Sequence, residues 1–448
     1  MPSPRNGATE RTGCFSMFGC ERERKRPTRQ PGIRKTNKEE ERMEVPLVSE
    51  ERLRVSLRSM WQWTKDMVDP SSHRLYYEFD PVHDLGRLSD QCPIRDIGAI
   101  YQTALLGSYL QTHELDPLIR LWIDRYVPSF VVPLEKPRQR KEAEGEEPPL
   151  QLDAERLGEP ASIAHSAFMI LSLLTFKEEA ERGERRREAE GERRRRRERE
   201  IAVGLANGIV KQQRRDGSYK VFFEEGMPDG SAVLLYPGEA MLALMATYEA
   251  TKDEKYLRSV QHAHPFYSSL FLQGKVPSDH LIFFANWFSQ SSAPLFQHLP
   301  TLKDGQEERE EVKRVVVKLF DYIVERVGYF ERVSQAPNEM ATVEVACALE
   351  GLADAYFVLC SPSGEEAREK EEERRRKEKW KRSCGIAIHF LLMVQRKEDK
   401  AEKGGKSTNK KRGAGGFGHM LQYPKQRVDV TGHVLSGFIK VIEHRVFA

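Results

Sequence analysis

Apolar positions recur at helical spacing from about residue 50 to the C-terminus, in roughly twelve stretches. Short and long connections alternate between these stretches. The clearest pair begins at Pro237, runs through alanine and leucine to Ala250, reverses at 251–253 and continues over 254–270. This pattern predicts a helical hairpin, and several further hairpins follow the same plan.

The apolar spacing predicts helices near residues 50–67, 96–113, 116–127, 159–176, 199–213, 237–250, 254–271, 280–297, 310–326, 340–358, 380–395 and 428–444. Every second helix is rich in Ala, Gly, Leu and Ser, and small residues allow helices to pack closely. The others carry more Lys, Arg and Glu, as outer helices do. Six inner and six outer helices predict an all-α fold, an (α/α)6 toroid of six helical hairpins, over residues 46–448.

Charged low-complexity segments interrupt this pattern near residues 136–149, 177–198, 361–382 and 397–412. Their signs are mixed, which favours solvated helical or disordered insertions with pairing between residues four apart over contacts with RNA. Hydrophobic residues make up 39% of the chain and charged residues 31%. Without the charged segments the composition is that of an ordinary globular protein. Residues 1–45 are polar and basic and predict a disordered tail.

Charge and cysteine content exclude several classes of function. A formal net charge of +3 is too small to favour nucleic acid as a partner. The six cysteines form no CxxC pair, and Cys347 lies in an apolar stretch typical of a core residue. We therefore expect a reducing, cytoplasmic location. Neither a transmembrane segment nor a metal or phosphate motif is recognisable, so we expect no stable membrane insertion, no metal and no cofactor. The oligomeric state is left open.

The loops differ between the two ends of the predicted ring. Connections from inner to outer helices are either tight or swollen by charged insertions, and a face that accepts insertions is unsuited to catalysis. Connections from outer to inner helices instead carry Gly, Pro, aromatic and isolated polar residues, over 76–96, 216–239, 328–344 and 415–429. These loops predict the functional face.

Short motifs lie at these outer-to-inner connections, at residues 95–99 (RDIGA), 212–219 (QQRRDGSY), 236–240 (YPGEA), 415–417 (GGF) and 427–429 (RVD). In these motifs the chain resembles the six-hairpin glycosidase-like superfamily, over about residues 55–445. The resemblance implies a toroid with a funnel at one end and a carbohydrate as the substrate or ligand. It implies no single reaction, because this fold hosts hydrolases, lyases, sugar epimerases, prenyltransferases and terpene cyclases.

Two carboxylates are the leading candidates for catalysis. Glycoside hydrolysis requires one carboxyl group as acid and a second as base or nucleophile. Glu239 and Asp429 each stand at the predicted start of an inner helix, from which both side chains would project into the funnel. Carboxylates at such positions also serve simply as helix caps. We predict that Glu239 and Asp429 form the acid–base pair of a glycoside hydrolase-like enzyme.

Sugars present apolar ring faces to aromatic side chains and hydroxyl groups to amides, arginines and carboxylates. Trp287 and Gln290 are three residues apart and share a helix face. Arg95 and Asp96 start the first inner helix, where Asp96 also suits an N-cap. The residues predicted to bind substrate are Arg95, Asp96, Tyr236, Trp287, Gln290, Glu344, Arg427 and His433.

Two alternatives stay open. A sugar epimerase or isomerase of this shape uses histidine to move a proton, and His165 and His433 are the best placed. A non-catalytic toroid that binds a glycan or a protein is the other alternative. Terpene cyclase chemistry is disfavoured because no DxDD motif is present, and prenyl transfer because no zinc-binding set is recognisable.

Overall fold

The computed structural model describes residues 48–89, 93–134, 147–177, 185–301, 305–361, 371–397 and 412–448. The predicted tail over 1–45 lies outside these ranges, and so do most of the insertions near 136–149 and 397–412. The predictions for those segments therefore stay predictions. None of the helices in the described ranges is long and apolar enough to cross a membrane.

In chain order the elements are α1 (Glu50–Asp66), β1 (Glu78–Asp80), β2 (Leu85–Arg87), α2 (Pro93–Leu110), α3 (Asp116–Phe130), β3 (Val131–Pro133), β4 (Leu150–Leu152), α4 (Ala154–Leu157), α5 (Ile163–Thr175), α6 (Arg185–Lys211), α7 (Tyr236–Thr251), α8 (Glu254–Leu272), α9 (Leu281–His298), α10 (Gly305–Asp321), α11 (Tyr329–Gln335), α12 (Thr342–Cys360), α13 (Glu371–Val394), β5 (Gly418–Met420), β6 (Tyr423–Arg427) and α14 (Val428–Glu443).

Six of the described helices form a closed inner ring. α2 packs against α5, α5 against α7, α7 against α9, α9 against α12, α12 against α14, and α14 returns to α2. These helices are buried along most of their length; α9, for example, is buried from Leu281 to Ala293 without interruption. Helices that are apolar around their whole circumference belong in an interior. The small residues of the inner helices therefore form the core of the ring.

The more polar helices α1, α3, α6, α8, α10 and α13 surround this ring, and each packs against the inner helix that follows or precedes it in the chain. Consecutive inner helices are connected through an outer helix and therefore point in the same direction. The predicted all-α (α/α)6 toroid of six helical hairpins is confirmed.

Local signals fix the ends of these helices. At the tight turn between α7 and α8, Lys252 adopts φ of +61° as the C-cap of α7. Asp253 then caps α8, because its side chain accepts a hydrogen bond from the Lys255 amide at 3.1 Å. A proline at the start of α7 suits the first helical turn, where no amide partner is available.

Two charged segments are helical where the structure describes them. α6 begins at Arg185, fourteen residues before its predicted start at 199, and α13 begins at Glu371 instead of 380. Pairs such as Arg196 with Glu200, at 2.9 Å, support the exposed part of α6 as the alternating charges indicated. Glu198 instead turns inward and forms a buried ion pair with Arg120 of α3. The C-terminal part of the insertion thus forms the first turns of an outer helix.

A four-stranded sheet in the order β2-β1-β6-β5 joins the connection before α2 to the connection before α14. β1 and β6 are antiparallel, and Glu78 lies opposite Arg427. The Val428 amide at the start of α14 donates a hydrogen bond to the Tyr77 carbonyl at 3.0 Å. The helical periodicity did not predict this sheet, which holds the first and last inner helices together at their N-terminal ends.

Candidate active site

The N-terminal ends of three inner helices bring charged side chains together. Arg95 lies in the first turn of α2, Glu239 in that of α7, and Asp429 in that of α14. Arg95 bonds Asp429 directly, and the charges of Arg95 and His433 act on the carboxyl group of Glu239. We name the cluster of Arg95, Glu239, Asp429 and His433, with Arg427, the mouth cluster.

Two arginines hold Asp429. Arg95 Nη1 donates to Asp429 Oδ2 at 2.6 Å, and Arg427 Nε donates to Oδ1 at 2.9 Å while its Nη2 also reaches Oδ2. The Val430 amide adds a hydrogen bond to Oδ1 at 3.0 Å. Burial favours a raised pKa of Asp429, but the two guanidinium groups outweigh burial and hold this pKa well below its usual value. Asp429 is therefore ionised at neutral pH.

Tyr77 lies between the same two arginines. The guanidinium carbons of Arg427 and Arg95 lie 5.2 Å and 5.9 Å from the centroid of its ring. Cations at this distance from an aromatic ring are attracted to its electron-rich face. The pairing of β1 with β6 places Tyr77 beside Arg427, so the sheet sets the positions of the arginines that hold Asp429.

Glu239 is in the opposite protonation state. Its residue is 1% exposed, and its Oε2 atom has no hydrogen-bond partner within the described part of the chain. Burial raises the pKa of Glu239 to about 8, although the positive charges of His433 and Arg95 oppose the rise. The mouth cluster therefore contains one neutral and one ionised carboxyl group at pH 7.

His433 pairs with Glu350 of α12 at 2.9 Å between Nδ1 and a carboxylate oxygen. Burial alone would lower the pKa of His433, but the Cys347 thiol and the Glu350 carboxylate raise it well above its ordinary value. In turn His433 and Lys440 lower the pKa of Glu350 against the effect of burial. The Trp287 ring of α9 meets the imidazole edge-on at 5.7 Å between centroids. His433 is thus a positively charged group beside an aromatic wall.

A second polar group lies further along α14. Lys440 Nζ donates to Asp354 Oδ2 at 2.5 Å and to Gln290 Oε1 at 2.7 Å. His444 reaches the other oxygen of Asp354 at 2.9 Å. Gln290 also donates to Asn286 Oδ1 at 2.9 Å. Because Asp429, His433, Lys440 and His444 share one face of α14, the ring interior is polar along this helix.

Three other predicted site residues, Asp96, Tyr236 and Glu344, have contacts with neighbouring elements. Asp96 bonds Arg74 at 2.7 Å and Ser89 and Tyr126, which ties α2 to α3. The Tyr236 ring packs at an angle on Phe222. Glu344 is half-buried in the first turn of α12, where its charge acts on Tyr329.

His165 forms the capping box of α5 with Ser162, and its Nε2 lies 3.1 Å from Glu159. Both ring nitrogens therefore have structural partners. The structure brings together Arg95, Glu239, Asp429, Arg427, His433 and Trp287, and it places Gln290 in the polar group further along α14.

Sequence reasoning missed three residues of this region: Tyr77, Cys347 and Glu350. Tyr77 lies in the loop 76–96 of the predicted functional face, but its position between two arginines depends on strand pairing. Cys347 and Glu350 are three residues apart on α12, and so they share a face. That spacing is the sequence signal that could have indicated a polar site on α12. It is easily overlooked because Cys347 lies in an apolar stretch and resembles a core residue.

A surface groove of about 670 Å³ lies away from the mouth cluster, between α10 and α13. Basic and acidic side chains alternate along it, including Lys313, Asp321, Glu373 and Arg376. This mixture of charges favours no class of ligand.

Solved structures share this architecture, whereas no family profile and no curated sequence matches the chain. A D-mannose isomerase aligns with a TM-score of 0.51 at 12% identity, over 88% of this chain and 98% of its own. A sugar epimerase from a ruminal bacterium aligns with a TM-score of 0.50 at 13% identity, over 87% and 98%. A GH76 α-mannanase from Bacteroides thetaiotaomicron aligns with a TM-score of 0.50 at 10% identity, over 88% and 96%.

This chain shares its (α/α)6 toroid fold with these solved structures. The alignments extend over nearly the whole length of each solved structure. At identities of 10–13% the likeness concerns the fold alone. The chemistry of this six-hairpin toroid has to be argued from its own residues.

Proposed function

We propose that this protein is a carbohydrate-processing enzyme in which Glu239 donates a proton to the sugar. The observation that carries the proposal is the buried Glu239 carboxyl group, with an unpartnered Oε2 atom, at the start of an inner helix. Buried polar atoms normally have partners, and a catalytic role is one recognised reason for an exception. The three solved structures described above are named as enzymes that act on sugars, which supports the class of substrate.

The protonation states suit glycoside hydrolysis. A glycosidase needs one carboxyl group that is protonated and a second that is ionised. With a pKa of about 8, Glu239 keeps its proton at neutral pH and can give it to the departing glycosidic oxygen. Asp429 is ionised, as a base or a stabilising anion must be.

The contacts of Asp429 weaken its role as a base. Both of its oxygens accept hydrogen bonds from arginine, and these bonds lower its affinity for a proton. We propose that Asp429 chiefly positions Arg95 and Arg427 and stabilises positive charge that develops on the sugar. The paired acid–base roles of Glu239 and Asp429 stay a prediction, better supported for Glu239.

Burial sets a condition on binding. Glu239 is nearly inaccessible, so a substrate that meets Oε2 has to displace neighbouring side chains. Trp287 and Tyr77 border the cluster, and an aromatic ring can stack on a sugar ring once the side chains packed against it move. We propose that the sugar lies between them.

The second candidate is a sugar epimerase or isomerase that uses His433. The pairing of this imidazole with Glu350 is the observation that favours it, because a carboxylate orients a catalytic histidine. Since His433 is charged at neutral pH, it would act first as an acid. His165 is less favoured because Ser162 and Glu159 engage both of its nitrogens.

A panel of mono- and oligosaccharides, including uronic acids, distinguishes these functions. NMR follows new reducing ends, which report hydrolysis, and deuterium from solvent appearing on sugar carbon, which reports epimerisation or isomerisation. For a hydrolase, Glu239→Gln should lower kcat by about 10²–10⁴-fold, as removal of a general acid does. His433→Gln should abolish deuterium exchange if the second candidate is correct.

Glu249→Gln is the matched control, because Glu249 lies near the other end of α7, where its exposed carboxylate pairs with His298. This variant should keep full activity. Wild-type turnover that survives Glu239→Gln unchanged would refute the proton-donor role. Thermal stabilisation by a sugar without any turnover would indicate the non-catalytic binding toroid instead.

A further inference from the structure

We infer that Cys347, Glu350 and His433 form a binding site for a thiophilic divalent metal ion such as Zn²⁺. The three side chains come from α12 and α14, which pack directly against each other. One donor atom from each lies within 4.8 Å of the others: the Cys347 sulfur, a Glu350 oxygen and a His433 nitrogen. We name these residues the thiol cluster.

The donor set matches the preference of zinc. Zn²⁺ is bound by thiolate, imidazole and carboxylate at about 2.0–2.3 Å in a tetrahedral arrangement. Donors on a tetrahedron of this size are separated by about 3–4 Å, which the spread of the thiol cluster can accommodate with small side-chain movements. Hard ions such as Mg²⁺ prefer oxygen ligands alone, so the thiol disfavours them.

The charge and the burial of the thiol cluster also favour a divalent cation. Cys347 and Glu350 are 1% and 3% exposed, so a net charge at this place is costly. Metal binding displaces the protons of the Cys347 thiol and of the His433 imidazolium, so that a thiolate and a carboxylate carry two negative charges and the imidazole adds none. A divalent cation therefore leaves the cluster neutral.

Three protein ligands leave a fourth position open, as in catalytic rather than structural zinc sites. The Trp287 ring packs on His433 and restricts rotation of the imidazole. Cys347 and Glu350 are fixed by their positions one helical turn apart on α12. The ligands are therefore oriented before any ion arrives. The inference does not depend on the proposed reaction at Glu239.

Cobalt is the probe that tests the site. Full-length protein freed of metal by a chelator is titrated with Co²⁺, and absorption in the near ultraviolet reports a bond between thiolate and cobalt. We expect one equivalent of Co²⁺ to produce this band, and Zn²⁺ to abolish it by displacement. Zn²⁺ should also raise the melting temperature of the metal-free protein.

Substitutions at the cysteines and at His433 show which residues produce the cobalt–thiolate band. Cys347→Ser should remove the thiolate band, whereas Cys384→Ser is the matched control, because Cys384 is a buried cysteine of α13 outside the cluster. His433→Gln keeps the thiol and should weaken Co²⁺ binding by more than the about 10- to 100-fold that loss of an outer-shell partner costs. This second variant keeps the test decisive if Cys347→Ser does not fold.

Two results would overturn the inference. Absence of a thiolate band with wild-type protein would show that the three side chains form a hydrogen-bonded group without metal affinity. A band that persists in Cys347→Ser would assign the metal to other cysteines. Glu239→Gln separates this inference from the proposed function, since that variant should lose turnover while it keeps the cobalt band.

Discussion

At the scale of single residues, Glu239 and Asp429 occupy equivalent positions in their helices but have opposite protonation states at neutral pH. Glu239 and Asp429 both lie in the first turn of an inner helix, and the sequence could predict that much. The difference arises because Asp429 meets Arg95, which is 334 positions away in the chain, whereas Glu239 meets mainly apolar surroundings. No local pattern encodes such a partner. The candidates could therefore be named from the sequence, but their protonation states could not.

The raised pKa of Glu239 makes stability depend on pH. The unfolded chain loses this proton near pH 4.5, but the folded protein keeps it until about pH 8. Between these values the folded state binds more protons, so stability falls as the pH rises. Glu239→Gln removes this pH-dependent loss of stability. The stability of the variant relative to wild type should therefore increase progressively from pH 5 to pH 8. Each unit of pKa difference corresponds to about 1.4 kcal/mol.

Urea denaturation of both proteins at pH 5, 6.5 and 8 measures the difference. A constant offset between the two proteins across this range would show that Glu239 titrates normally. Since Glu239→Gln is also expected to lose activity, the comparison would reveal a carboxyl group that is retained for function at a cost in stability.

Asp429 should matter for folding as well as for chemistry. Asp429→Asn leaves the buried Arg427 and the partly buried Arg95 without their counter-charge, and breaking a buried pair in this way costs about 3–5 kcal/mol. Glu200→Gln is the control, because its partner Arg196 is 82% exposed and such a surface pair contributes about 0–1 kcal/mol. Equal losses of unfolding free energy in the two variants would contradict a stabilising role of the ion pairs between Asp429 and the two arginines.

At the scale of helices, close packing positions the site. Gly238 lies where a Cβ atom would come within 2.6 Å of the Trp287 Cβ and 2.9 Å of its backbone carbon. α7 and α9 can therefore approach only because position 238 is glycine. The residue that follows is Glu239, so the same helix contact also fixes the position of this candidate general acid. The small residues predicted this close packing, although not which pair of helices meets here.

Gly238→Ala should destabilise the protein by about 1–3 kcal/mol, as overpacking of a core does, and should lower turnover by shifting Trp287 and Glu239. Gly191→Ala in α6 is the matched control. Its new Cβ would lie no closer than 3.7 Å to another residue, and replacing glycine inside a helix adds about 0.5–1 kcal/mol of stability. Thermal melts of both variants should move in opposite directions. A neutral Gly238→Ala would argue against the α7–α9 contact.

At the scale of the whole molecule, the number and alternation of helices were predictable because each inner or outer helix has its own composition. The extra turns at the start of α6 and α13 were not, since alternating charges are compatible with both helix and disorder. The four-stranded sheet was also missed. Its strands have three to five residues, too few to show a period of two.

A closed ring tolerates a change in where the chain begins. α1 packs against α14, so the two ends of the described chain belong to neighbouring helices. A circular permutant that joins residue 448 to residue 48 through a flexible linker, with new ends between Lys252 and Asp253, should fold with a melting temperature close to that of the parent. A cut inside α9, between Asn286 and Trp287, should prevent folding. Failure of the first permutant would indicate that the ring does not close as described.

The pairing of β1 with β6 has a consequence for how the protein matures. Phe79 lies opposite Gln426, and Asp429 and His433 belong to the final helix. A ribosome-bound chain therefore completes most of its hairpins long before the two sides of the mouth cluster can meet. The nascent protein has no assembled mouth cluster until α14 has emerged, so any activity that needs this cluster follows the synthesis of α14.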